Sequence, residues 1–89
     1  MKYYVYMLVN FNKGRLFSYV GYTTNIKKRL ILHNNSLGAK YTRGRKWEVC
    51  YKESYLNKSK AMKREYKFKN DKKFRNFLKG KFIKKKKLI

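Results

Sequence analysis

The sequence predicts an α+β fold: a small, three-stranded, mainly antiparallel sheet flanked by helices in the order β-β-α-β-α-α. Three observations lead there. Runs with a two-residue alternation of aromatic and β-branched residues recur at KYYVYMLV, LFSYVGY and KWEVCYKES. Capping residues followed by apolar residues three and four apart stand between and after these runs. The chain has 89 residues, 43% of them apolar, with nine Tyr and six Phe, which is enough for one core and too little for two.

Lys2 to Val9 reads as a strand with two usable faces, Tyr3, Val5, Met7 and Val9 on one and Tyr4, Tyr6 and Leu8 on the other. Asn10 to Arg15 (NFNKGR) supplies a reversal, and Leu16 to Tyr22 returns as the second strand of a hairpin. Gly21 marks a bend or a close backbone approach, because glycine otherwise weakens a strand interior. Thr23, Thr24 and Asn25 offer cap oxygens for a first helix from Ile26 to about Asn35, whose buried stripe begins with Ile26 and Leu30. The Gly- and Asn-punctuated segment Asn34 to Gly44 is a loop. Lys46 to Ser54 forms a third strand, with Trp47, Val49 and Tyr51 alternating against Glu48, Cys50 and Lys52. Asn57 or Ser59 caps a second helix to about Lys69, with Ala61, Met62, Glu65 and Phe68 at helical spacing. Lys72 to Lys79 forms a third, with Phe74, Phe77 and Leu78, and Gly80 as its C-cap. Residues 1–80 make one domain, and 81–89 (KFIKKKKLI) form a basic tail with too little apolar content to fold alone.

Twenty-six Lys and Arg against four acids give a net charge of +22, so acidic partners dominate the interactions of this chain, nucleic acid first among them. The longest uncharged apolar run falls far short of the ~18 residues of a membrane span. With no leader-like apolar segment at the start, a cytoplasmic or nucleoid-associated location is expected. The single cysteine, Cys50, excludes an internal disulfide and a Cys-rich zinc site. No helix-turn-helix, zinc-finger or RNP pattern is present, so sequence-specific readout is not indicated.

Five residues could carry chemistry. Glu65 alone among the acids shares a helical face with apolar neighbours, where a carboxylate requires Arg, Lys or a metal ion nearby; an i,i+4 pair with Lys69 is the simpler explanation. Arg29 and His33 lie four apart, so their heads can converge at the sheet edge, a guanidinium for a phosphate oxygen and an imidazole for a proton. Arg29 would also lower the His33 pKa toward the neutral, proton-accepting form. Tyr6 and Tyr19 sit in the two hairpin strands. A tyrosine acts as a general base only where Arg, Lys or a metal depresses its pKa from ~10, and this chain has such fields in abundance. Lys27, Lys28, Lys40, Arg43 and Arg45, with Tyr41 among them, read as a nucleic-acid-binding set.

Together these features resemble the GIY-YIG nuclease superfamily, and especially its small stand-alone members. Tyr4-Val5-Tyr6 stands where that family has Gly-Ile-Tyr, and Tyr19-Val20-Gly21 where it has Tyr-Ile-Gly. Gly21 to Leu30 (GYTTNIKKRL) resembles the link into the family's first helix, with Arg29 at its arginine position and His33 one turn on. Gly38-Ala39-Lys40-Tyr41-Thr42, Trp47 and Ala61-Met62-Lys63-Arg64-Glu65 continue the likeness, which runs from about Tyr3 to Leu78. Three positions depart: Tyr4 replaces a glycine, Tyr22 stands where some relatives have lysine, and Phe77, beside Asn76, falls where an asparagine is expected.

The resemblance implies a divalent-metal-dependent endonuclease that hydrolyses DNA phosphodiester bonds, in repair or recombination, with one Mg²⁺ or Mn²⁺ held by Glu65. Tyr6 would activate water with His33 relaying the proton, Tyr19 would orient phosphate or water, and Arg29 would stabilise transition-state charge. A partner protein could supply targeting. The alternative is a non-catalytic basic module that binds nucleic acid at the ribosome or nucleoid.

Overall fold

Strand β1 (Tyr3–Asn12) and strand β2 (Arg15–Thr23) form the hairpin, and β3 (Glu48–Tyr55) pairs with the other side of β1, so the antiparallel sheet has the order β2-β1-β3. This is a computed structural model, and it describes residues 1–87. The reversal is tighter than the sequence predicts: only Lys13 and Gly14 lie outside the strands, with φ of 52° and 77°. Positive φ at both central residues is what a two-residue hairpin turn demands. With β1 central, nearly its whole length is buried, and its two faces feed two cores.

The first core packs Val5, Met7, Val9 and Val20 against Ala61 and Phe68 of α2 (Lys58–Lys69) and Leu78 and Phe82 of α3 (Lys72–Lys86). The second packs Tyr6, Leu8 and Trp47 against Phe17, Tyr19, Val49, and Ile26 and Leu30 of α1 (Ile26–Asn34). Asn25, Asn57 and Asp71 cap the three helices, each accepting a hydrogen bond from a backbone N–H three residues on. At nine residues α1 is too short to persist alone, so its place is set by packing on the sheet.

Four expectations are corrected. The alternation along β3 breaks at Cys50, where a bulge leaves Met7 opposite Tyr51 and Leu8 opposite Val49. Val49 therefore enters the second core, while Tyr51 turns to the first. Gly80 does not end α3: the helix runs through it to Lys86, because Phe82, a turn and a half beyond Leu78's neighbour Phe77, anchors the extension in the first core. Lys81–Lys86 are thus helical rather than an unfolded tail, and residues 88–89 of that tail lie outside the described residues. Met62 and Phe77, assigned to buried stripes, are 46% and 59% exposed. Tyr22, by contrast, packs against the first core, which is why a lysine would not suit that position.

Arg64 ties α2 to β3. Its guanidinium donates twice to the Glu53 carboxylate, both at 2.9 Å, and the same carboxylate accepts from the Tyr51 and Tyr55 hydroxyls at 2.6 Å. Burial opposes ionisation of Glu53, yet these four donors outweigh it and hold the carboxyl down at about 2.

Candidate active site

Tyr6 points from β1 toward α1, and its ring crosses the backbone of its β2 partner, Gly21. A Cβ at residue 21 would lie 2.6 Å from the Tyr6 oxygen and 3.1 Å from the Tyr19 ring, so the close approach expected at this glycine is the approach of an aromatic ring. Tyr19, two residues earlier on β2, places its ring centroid 6.5 Å from that of Tyr6 and 5.0 Å from that of His33.

His33 is completely buried. It lies beneath Tyr6, within the field of Arg29 one turn earlier on the same helix, and is roofed by Gly38, where any side chain would strike the imidazole. The hydrogen bonds fix its tautomer. Thr42 Oγ1 has one proton and donates it to the Ala39 carbonyl at 2.7 Å, so toward His33 it must accept. Nδ1 of His33 therefore carries hydrogen and donates to Thr42 at 2.8 Å, leaving Nε2 to accept from the Tyr6 hydroxyl at 3.0 Å. The result is a directed chain: Tyr6 to His33 to Thr42 to Ala39.

Burial and, second, the Arg29 guanidinium lower the His33 pKa, keeping the imidazole neutral and able to accept. Tyr6 moves opposite to expectation. Burial pushes its hydroxyl up to about 12, outweighing the pull of Arg29, with the charges of Tyr19 and Glu65 adding to the rise. The abundant cations thus do not make a phenolate here; desolvation dominates. Arg29, Tyr19 and Glu65 are thus the groups whose fields reach the Tyr6 hydroxyl.

The loop that covers His33 is held from several sides. Trp47 Nε1 donates to the Thr42 carbonyl at 2.9 Å, and the Asn34 side chain makes two hydrogen bonds with the Trp47 backbone, at 2.6 and 3.1 Å. Residues 40–42 form one 3₁₀ turn that presents Thr42 inward and leaves Tyr41 52% exposed. Gly38 and Thr42 stand in a loop that the family likeness covers, but nothing in the sequence assigned them a role; Asn34 had no signal beyond being polar at a helix end, which also describes any solvent-exposed cap.

Glu65 stands on α2 with its side chain 20% exposed and an i,i+4 pair to Lys69 at 3.6 Å. The expected lysine pair of this acid is therefore present, and its charge also acts on the Tyr6 hydroxyl. Among the described residues no three His, Cys, Asp or Glu side chains cluster as a multidentate metal cage. A single carboxylate is nonetheless a fitting donor for Mg²⁺, which retains waters and takes substrate phosphate oxygens as its other ligands.

Lys27 and Lys28 are exposed on α1, as are Lys40 and Arg43 in the loop. Arg45 differs: its guanidinium lies 4.0 Å from the Phe17 ring centroid and 5.7 Å from that of Tyr41, with Nη1 buried and unpartnered. Tyr41 in turn stacks on Tyr19 at 6.4 Å, so the basic set adjoins Tyr19 directly.

The chain belongs to the GIY-YIG family: residues 2–79 match the family model for the GIY-YIG catalytic domain. It is similar to small UPF0213 proteins of bacteria. The relative from Staphylococcus epidermidis is 48% identical over 69 residues, covering 76% of this chain and 80% of that protein. One from Oceanobacillus iheyensis is 52% identical over 52 residues, covering 57% and 60%. A solution NMR structure of the UPF0213 protein of Bacillus halodurans is 33% identical, covers 90% of this chain and 84% of its own, and has a TM-score of 0.48. No helix among the described residues is long and apolar enough to cross a membrane.

Proposed function

We propose that this protein is a divalent-metal-dependent endonuclease that hydrolyses DNA phosphodiester bonds. The observation that carries the proposal is the buried Tyr6–His33 hydrogen bond, with the Tyr19 ring beside the imidazole and the charges of Arg29 and Glu65 acting on the same hydroxyl, a set of groups that nucleic-acid binding alone does not require. Membership of a family whose model is a catalytic domain supports it.

In this reading Arg29 holds a non-bridging phosphate oxygen and offsets the charge that develops on it. Tyr6 positions the attacking water and takes its proton while passing its own hydroxyl proton to Nε2 of His33, which relays it without touching substrate. Since burial pushes the Tyr6 hydroxyl up to about 12, it does not act as a free phenolate; the neutral His33 that accepts from it is the destination for its proton. Tyr19 orients the phosphate. Glu65 is the residue to hold the Mg²⁺ or Mn²⁺, which when bound polarises the phosphate and stabilises the leaving oxygen. Lys27, Lys28, Lys40, Arg43 and Arg45 hold the flanking backbone, and a targeting partner and a cytoplasmic or nucleoid setting complete the proposal.

The Lys69 partner of Glu65 and the protonated Tyr6 favour a second reading, a non-catalytic basic nucleic-acid-binding module. Incubating flap, gapped, duplex and single-stranded DNA with each divalent metal separates the two. The nuclease reading expects metal-dependent cleavage that Arg29→Ala and Tyr6→Phe abolish in folded protein; binding without cleavage by any combination selects the module.

A further inference from the structure

The edge of β2 opposite the sheet's central strand adjoins a second cluster of cations, of which the proposed site engages only Lys69, through its pair with Glu65. Ser18, Tyr19 and Val20 form one wall of a cleft of about 160 Å³, and Lys69 of α2 and Arg75 of α3 form the other. Its volume exceeds the ~30 Å³ share of a single water several-fold. Arg75 is half-buried, and its Nε is withdrawn from water with no acceptor. A guanidinium N–H in that position carries a desolvation penalty until an oxygen meets it.

The surroundings offer none. Burial lowers the pKa of nearby Lys79, and the charges of Arg75, Arg15 and Lys72 lower it further. The acids of the two helices are otherwise engaged: Asp71 accepts the Phe74 N–H, and Glu65 faces Lys69 at 3.6 Å. Among the described residues no acid forms an ion pair with Arg75, Lys79 or Arg15. Like charges gathered beside an unfilled donor call for an external anion, and Tyr19, which lines this cleft, belongs to the candidate active site as well.

We propose that this cleft binds a second backbone phosphate of the nucleic acid, a neighbour of the phosphate held at Arg29, with Arg75 as its principal donor and Lys69 assisting. The inference rests on the endonuclease reading for which phosphate is cleaved, but not for binding itself. The strand would then run along the β2 edge, held on both sides of Tyr19.

Fluorescence anisotropy with a short labelled DNA oligonucleotide, in EDTA so that cleavage cannot intervene, tests the site across a salt series. Arg75→Gln and Lys69→Gln, each checked for an unchanged melting temperature, are expected to weaken binding about tenfold or less and to reduce the salt slope by about 1 for each lost contact. Lys69 is half-exposed, so its variant folds even where that of Arg75 does not. One neutral methylphosphonate, walked along the oligonucleotide, is expected to remove the difference between wild type and Arg75→Gln at a single backbone position. Unchanged affinity and slope in both variants overturn the proposal while leaving any metal-dependent cleavage standing; a weaker slope in a protein that never cleaves retains the phosphate site and rejects the nuclease.

Discussion

Tyr6 keeps its position because residue 21 has no side chain. The register sets Gly21 opposite Tyr6, and a methyl there would overlap the hydroxyl on which the proposed chemistry turns. Gly21→Ala is therefore expected to displace the ring, break its bond to His33, lower stability by about 1–3 kcal/mol through overpacking and lower cleavage by about 10²-fold through misplacement. Thermal melts with a cleavage assay check both. The pH dependence follows from two groups of opposite type. His33 is lowered in the folded chain, so below ~6.5 the unfolded chain binds a proton that the folded one does not, and stability falls with pH from there. Glu53 is held at about 2 against an ordinary 4.5, so its contribution is present above 4.5 and is lost as pH falls from there toward 2. Melting temperature against pH should fall in two stages, and Glu53→Gln should remove the lower one. Tyr6, Arg29 and Glu65 were legible as residues from motif order and spacing. That His33 would be buried under Tyr6 was not, because its second partner, Thr42, arrives from a loop whose shape depends on Trp47 and Asn34.

At the scale of elements, alternation and capping predicted every strand and helix, and the departures arose where distant contacts overrule local pattern. A bulge is a relation between two strands, so KWEVCYKES alone gives no reason to set Val49 and Tyr51 on opposite faces. Gly80 looks like a helix end because glycine is a poor helix former; burial of Phe82, 8% exposed, outweighs the ~1 kcal/mol that glycine costs in a helix interior. Phe82→Ala is expected to destabilise the protein by about 3 kcal/mol, at the lower end for a buried Phe, and to lose helical circular dichroism if the last turns unwind. Urea denaturation measures the first effect. Met62 and Phe77 have the spacing of buried residues, yet the sheet has room for only part of each helix, and the Arg64 guanidinium lies over Phe68 and Phe74, 5.2 and 5.4 Å from their ring centroids.

Across the whole molecule, a charge of +22 is spread over both sides of the sheet, on α1 and its loop and on α2 and α3, so charge alone does not say where nucleic acid lies. The direction comes from chemistry: the Tyr6 hydroxyl, on which the charges of Arg29 and Glu65 act, lies beside Tyr19, which adjoins both the Arg45 cluster and the Arg75 cleft. The central claim is that this meeting point cleaves DNA with a metal held at Glu65. Its most direct test is cleavage by wild type and Glu65→Gln across a Mg²⁺ and Mn²⁺ titration, with DNA affinity in EDTA measured on the same preparations. The account predicts metal-dependent cleavage by wild type and none by Glu65→Gln, with affinity within about twofold, since loss of an acid near Lys69 leaves the phosphate contacts in place. Cleavage by Glu65→Gln at the wild-type rate, or none by wild type at any metal concentration while DNA remains bound, would contradict it.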